Sequence, residues 1–313
     1  MLTVRFMKSL GFMGLMTLAT VVQGAQPPTT GPQYWSTSPN LDCANVGSQV
    51  YQIPLASGGI GYVCVVSGTF VWLAAGGTAT TSGTWSTAIR VAGPAFGAIG
   101  VDYQLYDPSG NNLSLDTTSP NGSSSGNDVT FALSANQPAE VAMLGATSDA
   151  PSHSSTATGS VYAQFYCPNA TTCRTIIPQL LYSALPSIPW SLSVPIAWDG
   201  SEWTQWSAQG VDDGAGRRVS LVVYNAGSAA SIYTVRVYDS SGTNVATGTT
   251  PVIVGFGTFG DLLSNVVKTS LPQGLFKVLI DGGLNNSLVA VLQVNGASAT
   301  TLQTGYDTAP SAR

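Results

Sequence analysis

The sequence predicts an all-β protein of two tandem antiparallel β-sandwich units, and three observations carry that prediction. First, a strand-and-turn phrase occurs twice: VDYQLYDPSGNNL at 101–113 and YTVRVYDSSGTNV at 233–245 align without a gap. In each copy apolar and polar residues alternate, then give way to Tyr-Asp-x-Ser-Gly, as in a half-buried strand entering a reversal. Second, short apolar runs recur about every ten residues with Gly, Asn and Ser turns between them, the rhythm of a sandwich. Third, charged residues make up only 8% of the chain while glycine numbers 35, so the surface is largely neutral and polar.

The segments follow in order. Residues 1–24 read as a secretory signal peptide: Arg5 and Lys8 give a positive start, Leu10 to Val22 is uncharged and mostly apolar, and small residues follow at Gly24 and Ala25. Residues 25–40 are rich in Pro, Thr, Gln and Ser and read as an extended or disordered N-terminus. Residues 41–177 are assigned to the first unit. Within it, YVCVV, Ser67-Gly68 and TFVWL suggest a two-residue hairpin, and Ser114 to Asp128 reads as a Ser/Asn/Gly loop. Pro178, Pro186 and Pro189 mark residues 178–190 as the connection, because proline forbids a continuous helix there. Residues 191–313 form the second unit. Its strands are expected near Val219–Tyr224, Ile232–Tyr238, Val252–Val254, Leu275–Ile280, Leu288–Val294 and Thr300–Gln303, with a short helical turn within Gly260–Val267.

Four cysteines, Cys43, Cys64, Cys167 and Cys173, suit an oxidising compartment and permit three pairings. The local pairs Cys43–Cys64 and Cys167–Cys173 are favoured, since each lies within one unit.

The run VSLVVYNAGSAASIYTVRVYDSSGTNV resembles the Ig-like β-sandwich modules of secreted bacterial proteins. The resemblance covers mainly residues 217–295 and more weakly 98–167. It implies extracellular or surface modules and carries no catalytic residues.

Composition narrows the function classes. Removing the leader takes two of the ten basic residues and none of the fifteen acidic ones, leaving a net charge of −7. Such a chain lacks the basic patch that nucleic acid requires and does not suit anionic lipid. No membrane span is expected in the mature chain, because the uncharged stretch from Cys43 to Ile89 is β-branched and broken by polar turns.

Several strings resemble chemistry. GFGTFG at 255–260 fits the dinucleotide pattern, with Asp281 placed 21 residues after Gly260. The hairpin signals around it favour a glycine-rich sheet edge packed by Phe256 and Phe259. GSSSG at 122–126 fits a nucleophile elbow with Ser124, and the one histidine, His153, would be its base. A polar tract surrounds it instead of a strand and a helix. Asp199 with Glu202, and Asp212 with Asp213, are carboxylate pairs of the kind glycosidases use, and both read as turns. Asp107-Pro-Ser-Gly-Asn-Asn offers one carboxylate, where a hard cation wants about six oxygens. No metal or cofactor is expected.

Trp190, Trp198, Trp203 and Trp206 fall within 17 residues. Exposed indoles stack on sugar rings, so Trp198, Trp203 and Trp206 with Asp199 and Glu202 form a candidate carbohydrate site. The competing reading is core packing. The leading expectation is an exported, non-enzymatic surface or extracellular protein that serves adhesion, assembly or spacing. Its expected partners are a glycan or another extracellular protein. A carbohydrate-binding module and a secreted hydrolase are the alternatives.

Overall fold

The computed structural model describes residues 27–44, 49–79, 83–186, 190–212, 217–295, 304–307 and 311–312. The leader, Asp213 and the strand expected at 300–303 lie outside these residues. The fold is all-β, and the strand pairings among the described residues are antiparallel. In chain order the first unit holds β1 (Val50–Pro54), β2 (Ile60–Ala79), β3 (Gly83–Ala92), β4 (Ile99–Tyr106), β5 (Leu115–Ser119), β6 (Gly122–Gly126), β7 (Asp128–Leu133), β8 (Pro138–Ala146), β9 (Thr156–Cys167) and a helical turn α1 (Ala170–Arg174). Then come β10 (Gln179–Pro186), β11 (Trp190–Pro195) and β12 (Ala197–Trp198). The second unit holds β13 (Gln205–Asp212), β14 (Arg217–Asn225), β15 (Thr234–Tyr238), β16 (Asn244–Thr249), β17 (Thr258–Leu262), α2 (Leu263–Val267), β18 (Gly274–Asp281), β19 (Ser287–Asn295), β20 (Thr304–Asp307) and β21 (Ser311–Ala312).

β1 to β12 form a single, nearly closed sheet with the order β6-β5-β8-β3-β2-β9-β4-β7. Its axis is β2, a strand of 20 residues where a hairpin was expected. One edge of β2 holds β9, and the other holds β1, β12 and β3 in succession. Ser67-Gly68 is therefore mid-strand. Its glycine serves close approach instead of reversal: a Cβ on Gly68 would lie 2.6 Å from the Ala197 carbonyl oxygen of β12. The expected loop at 114–128 is the β5–β6 hairpin. The Pro-rich connection also joins the sheet, for β10 pairs with β3 on one side and β11 on the other.

The second unit stacks two sheets, β17-β14-β19-β20 and β16-β15-β18-β13-β21. In β15 only alternate residues are buried, so one face is wet. In β14, Val219, Leu221, Val222, Val223 and Tyr224 are all buried, as are Leu288 to Leu292 of β19. That sheet is the middle of three layers, covered by the β15-containing sheet on one side and by β2 on the other. Continuous apolar runs are the mark of strands buried on both faces. One hydrophobic core consequently runs through both units.

The duplicated phrase adopts the same local structure twice. Val101, Tyr103 and Leu105 are buried, and so are Tyr233, Val235 and Val237. Asp107 Oδ1 accepts from the Ser109 and Asn111 amides at 2.8 and 2.8 Å; Asp239 Oδ1 accepts from those of Ser241 and Thr243 at 2.9 and 3.0 Å. Gly110 and Gly242 hold φ of 76° and 84°, a region open to glycine at little cost. Beyond the turn the copies part. Residue 244 begins β16, which folds back on β15, whereas β5 crosses to β8.

Both disulfides take the local pairing, Cys43–Cys64 and Cys167–Cys173. Cys64 and Cys167 are register partners on β2 and β9, so the two bridges adjoin. Asn169 caps α1 by accepting the Thr172 amide at 2.9 Å, which fixes the small second loop. Residues 27–36 lie across the outer face of the β1-β2-β9-β4-β7 region. Tyr34 there is only 1% exposed and belongs to a small second core with Ile53, Val63, Val65, Ala98 and Tyr166.

Candidate functional site

The segment 197–206 runs from the first unit into the second, and its residues part in three directions. Trp198 pairs with Gly68 of β2 and turns its ring, half-buried, edge-on to Phe165 at 5.9 Å. Trp206 is 8% exposed, and its Nε1 donates to the Ser287 carbonyl at 3.1 Å. Trp203 is 49% exposed and is held by reciprocal backbone bonds to Ser287. The three indoles therefore do not form one stacking platform. Trp206 belongs to the core and Trp198 to packing, because an indole that can bury its ring and satisfy its N–H gains more inside than on the surface. Trp203 alone remains available.

The carboxylates of this segment have structural partners. Asp199 Oδ2 accepts from Ser67 Oγ at 2.6 Å and from the Tyr162 hydroxyl at 2.9 Å, and the Asp199 amide donates to the Ser67 carbonyl at 2.9 Å. Oδ1 takes neither side-chain bond. Glu202 Oε2 accepts the Gly200 amide at 2.9 Å and so closes the 199–202 turn. Asp199 sits at the border of a polar face on β2, β9 and β4, carrying Ser67, Tyr162, Gln164, Asp102 and Gln104 on facing registers. Gln104 donates to Asp102 at 3.2 Å and accepts from Tyr106 at 2.8 Å. Burial, and then the Asp199 charge, push the nearby Tyr51 phenol up. The sequence reading missed this face. The alternation in β4 and β9 signalled it, but nothing local says that the polar side of those strands would meet Asp199.

The other strings resolve structurally. GFGTFG opens no long helix: it runs into β17, antiparallel to β14, and α2 has only five residues. Its glycines admit neighbours. A Cβ on Gly255 would strike the Ser228 carbonyl, one on Gly257 would lie 2.6 Å from the Pro108 oxygen, and one on Gly260 would lie 2.8 Å from the Trp72 ring. The loop is thus the seam where the second unit docks on the first. Thr258 completes it, its amide donating to Pro108 at 3.0 Å and its hydroxyl to Val71 at 2.9 Å.

Ser124 and His153 form no dyad. Ser124 Oγ lies 2.9 Å from Thr117 Oγ1 in the β5–β6 hairpin. His153 places Nε2 3.5 Å from Asp116 and Nδ1 3.3 Å from the Ala146 carbonyl. Asp281 is held by Arg236 at 3.3 Å across the paired strands β18 and β15. Among the described residues no group of three or more His, Cys, Asp or Glu side chains comes together as a metal site. No helix among them is long and apolar enough to cross a membrane.

Asp149 is held well below the usual carboxylate range. The Ser155 amide at 2.6 Å, then the hydroxyls of Ser155, Ser154 and Ser152, lower its pKa to about 2. A depressed carboxylate stabilises the fold fully above its unfolded value of about 3.9, and the contribution disappears as pH falls through the folded value. The loop at 147–155 is therefore expected to hold at pH 4 and to loosen near pH 2. The Ser155 amide proton shift should titrate with a midpoint near 2, and Asp149→Asn should abolish that titration. A midpoint near 4 would show that the cage of donors is not formed in solution.

No family model matches the chain, and no curated protein or solved structure matches it either.

Proposed function

We propose that this protein is an exported, non-enzymatic building block of an extracellular or surface assembly. The observation that carries the reading is the three-layer arrangement, in which one core passes through both units and the Gly255–Gly260 seam locks them. Tandem modules that bend at a linker suit capture of ligands. Two units fused through a shared core suit a rigid spacer that transmits position or load. The two disulfides fit an oxidising destination, and the duplicated Tyr-Asp-x-Ser-Gly turn fits Ig-like modules diverged from one another. The test is cell fractionation of the native chain, followed by sizing of the exported protein. Recovery outside the cytoplasm in large assemblies is expected. Cytoplasmic retention, or turnover of a glycan, ester or peptide, would overturn the proposal.

A second reading, glycan contact, is favoured by one observation. Asp199 is pinned by Ser67 and Tyr162 while its second oxygen takes no bond from either, and exposed Trp203 lies four residues on. Glycan-array binding lost in both Asp199→Ala and Trp203→Ala is expected. Binding that survives both substitutions would remove this face from the mechanism.

A further inference from the structure

The strap formed by residues 27–36 sits in a slot with its own chemistry. Two glycines shape the floor: a Cβ on Gly100 would lie 2.8 Å from the Tyr34 ring, and one on Gly61 would lie 2.8 Å from the Trp35 ring. Ile53, Val63, Val65, Ala98 and Tyr166 wall it, and Tyr34 meets Trp35 edge-on at 5.2 Å. This cluster is separate from the main core, so lifting the strap leaves the shared core of the two units intact.

The strap is also self-contained. The Tyr34 hydroxyl donates to the Pro28 carbonyl at 2.5 Å, and the Gln33 side-chain Nε2 donates to the Trp35 carbonyl at 3.0 Å, both within the segment. Its backbone joins the sheet at one bridge, Ser36 with Tyr62, through two bonds of 2.9 Å. Residues 37–40 behind it are exposed, and the Cys43–Cys64 bridge then anchors the chain to β2. Cys43 lies nine positions along the chain from Tyr34, a reach of up to about 30 Å when extended.

We propose that the slot accepts the strap of a second copy of this chain, so that copies join by strap exchange. The inference rests on the building-block reading and names its partner and its site. The occupant is the one that the slot already holds, so exchange keeps the contacts between strap and slot, the feature that makes swapping an inexpensive route to oligomers. Each copy offers one strap and one slot. Reciprocal exchange closes a dimer, and one-way exchange propagates a chain.

The test uses the full chain carrying Ser36→Cys and Tyr62→Cys. Cα atoms of a hydrogen-bonded antiparallel pair are about 5.5 Å apart, within disulfide reach. Non-reducing denaturing gels are expected to show covalent dimers and higher species that increase with protein concentration. A synthetic peptide of residues 26–40 added before oxidation should suppress them, and the Tyr34→Ala peptide should not. Intrachain bonds alone at every concentration would overturn the exchange. If light scattering then still finds assemblies, the building-block reading stands without it. If the protein is a monodisperse monomer with intrachain bonds alone, both fall.

Discussion

Asn225→Ala is expected to be among the most damaging single substitutions in the second unit, at about 2–4 kcal/mol. Asn225 is fully buried at the end of β14. Its Nδ2, with two protons, reaches the carbonyls of Ala229, Ile253 and Val254 at 2.7, 3.0 and 3.1 Å, so one proton is shared between two of them. Its Oδ1 accepts from the Gly227 amide and the Tyr233 hydroxyl, each at 3.0 Å. One side chain thus ties together two loops, 226–233 and 250–257. Alanine removes these contacts together and takes the Gly227 amide's partner away, while the Ile253 and Val254 carbonyls keep the Ser231 and Gly257 amides at 2.8 and 3.0 Å. Asn225→Asp is expected to fall short of full rescue, because a carboxylate keeps the two acceptor contacts and loses the donors. Tyr233 links to the same hub: burial pushes its phenol up to about 12, and its hydroxyl also donates to Asn286 at 3.2 Å. Tyr233→Phe should cost about 1–2 kcal/mol, less than Asn225→Ala. Urea unfolding followed by tryptophan fluorescence measures all three. A loss below about 1 kcal/mol for Asn225→Ala would mean that water replaces the side chain at those carbonyls.

Gly257→Val is the second large effect, and it acts on coupling as much as on stability. The wild-type units share a core, so calorimetry is expected to show one cooperative transition. A Cβ at position 257 would stand 2.6 Å from the Pro108 oxygen and 2.8 Å from Val254 Cγ2. Overpacking of that kind costs about 1–3 kcal/mol. The strain falls on the seam, where Thr258 bonds Pro108 and Val71. The seam should open before either unit unfolds, splitting the transition in two. Thr258→Val, which deletes the hydroxyl bond to Val71 without adding bulk, is expected to weaken the coupling in the same direction and by less. Two transitions in the wild type would show that the shared core does not bind the units into one cooperative body.

Much of the local structure was legible. The alternation in Thr234–Tyr238 made a one-sided strand, and the burial of β15 follows it residue by residue. The Tyr-Asp-x-Ser-Gly repeat encoded its own turn, because the aspartate that caps the reversal and the glycine that permits it both lie inside the phrase. The disulfides followed from nearness in sequence. Ser67-Gly68 misled for a definite reason: a glycine between two apolar runs has the same composition whether it turns the chain or admits a neighbouring backbone. The neighbour, Ala197, is more than a hundred residues away. The tryptophan segment was legible in part. Three residues apart, Trp203 and Trp206 fall on opposite sides of an extended chain, yet only the position of Ser287 decides which side is the core.

What the sequence determined by itself is the period of each segment: two for the strands, with polar punctuation between them, and apolar runs without alternation in β14 and β19. Only the tertiary structure decided what those unbroken runs meant. A side chain's contribution to the pattern is local, but burial on a second face depends on a partner surface. Here that partner is β2, brought in from the far half of the chain, and it turned two units into three layers around one core.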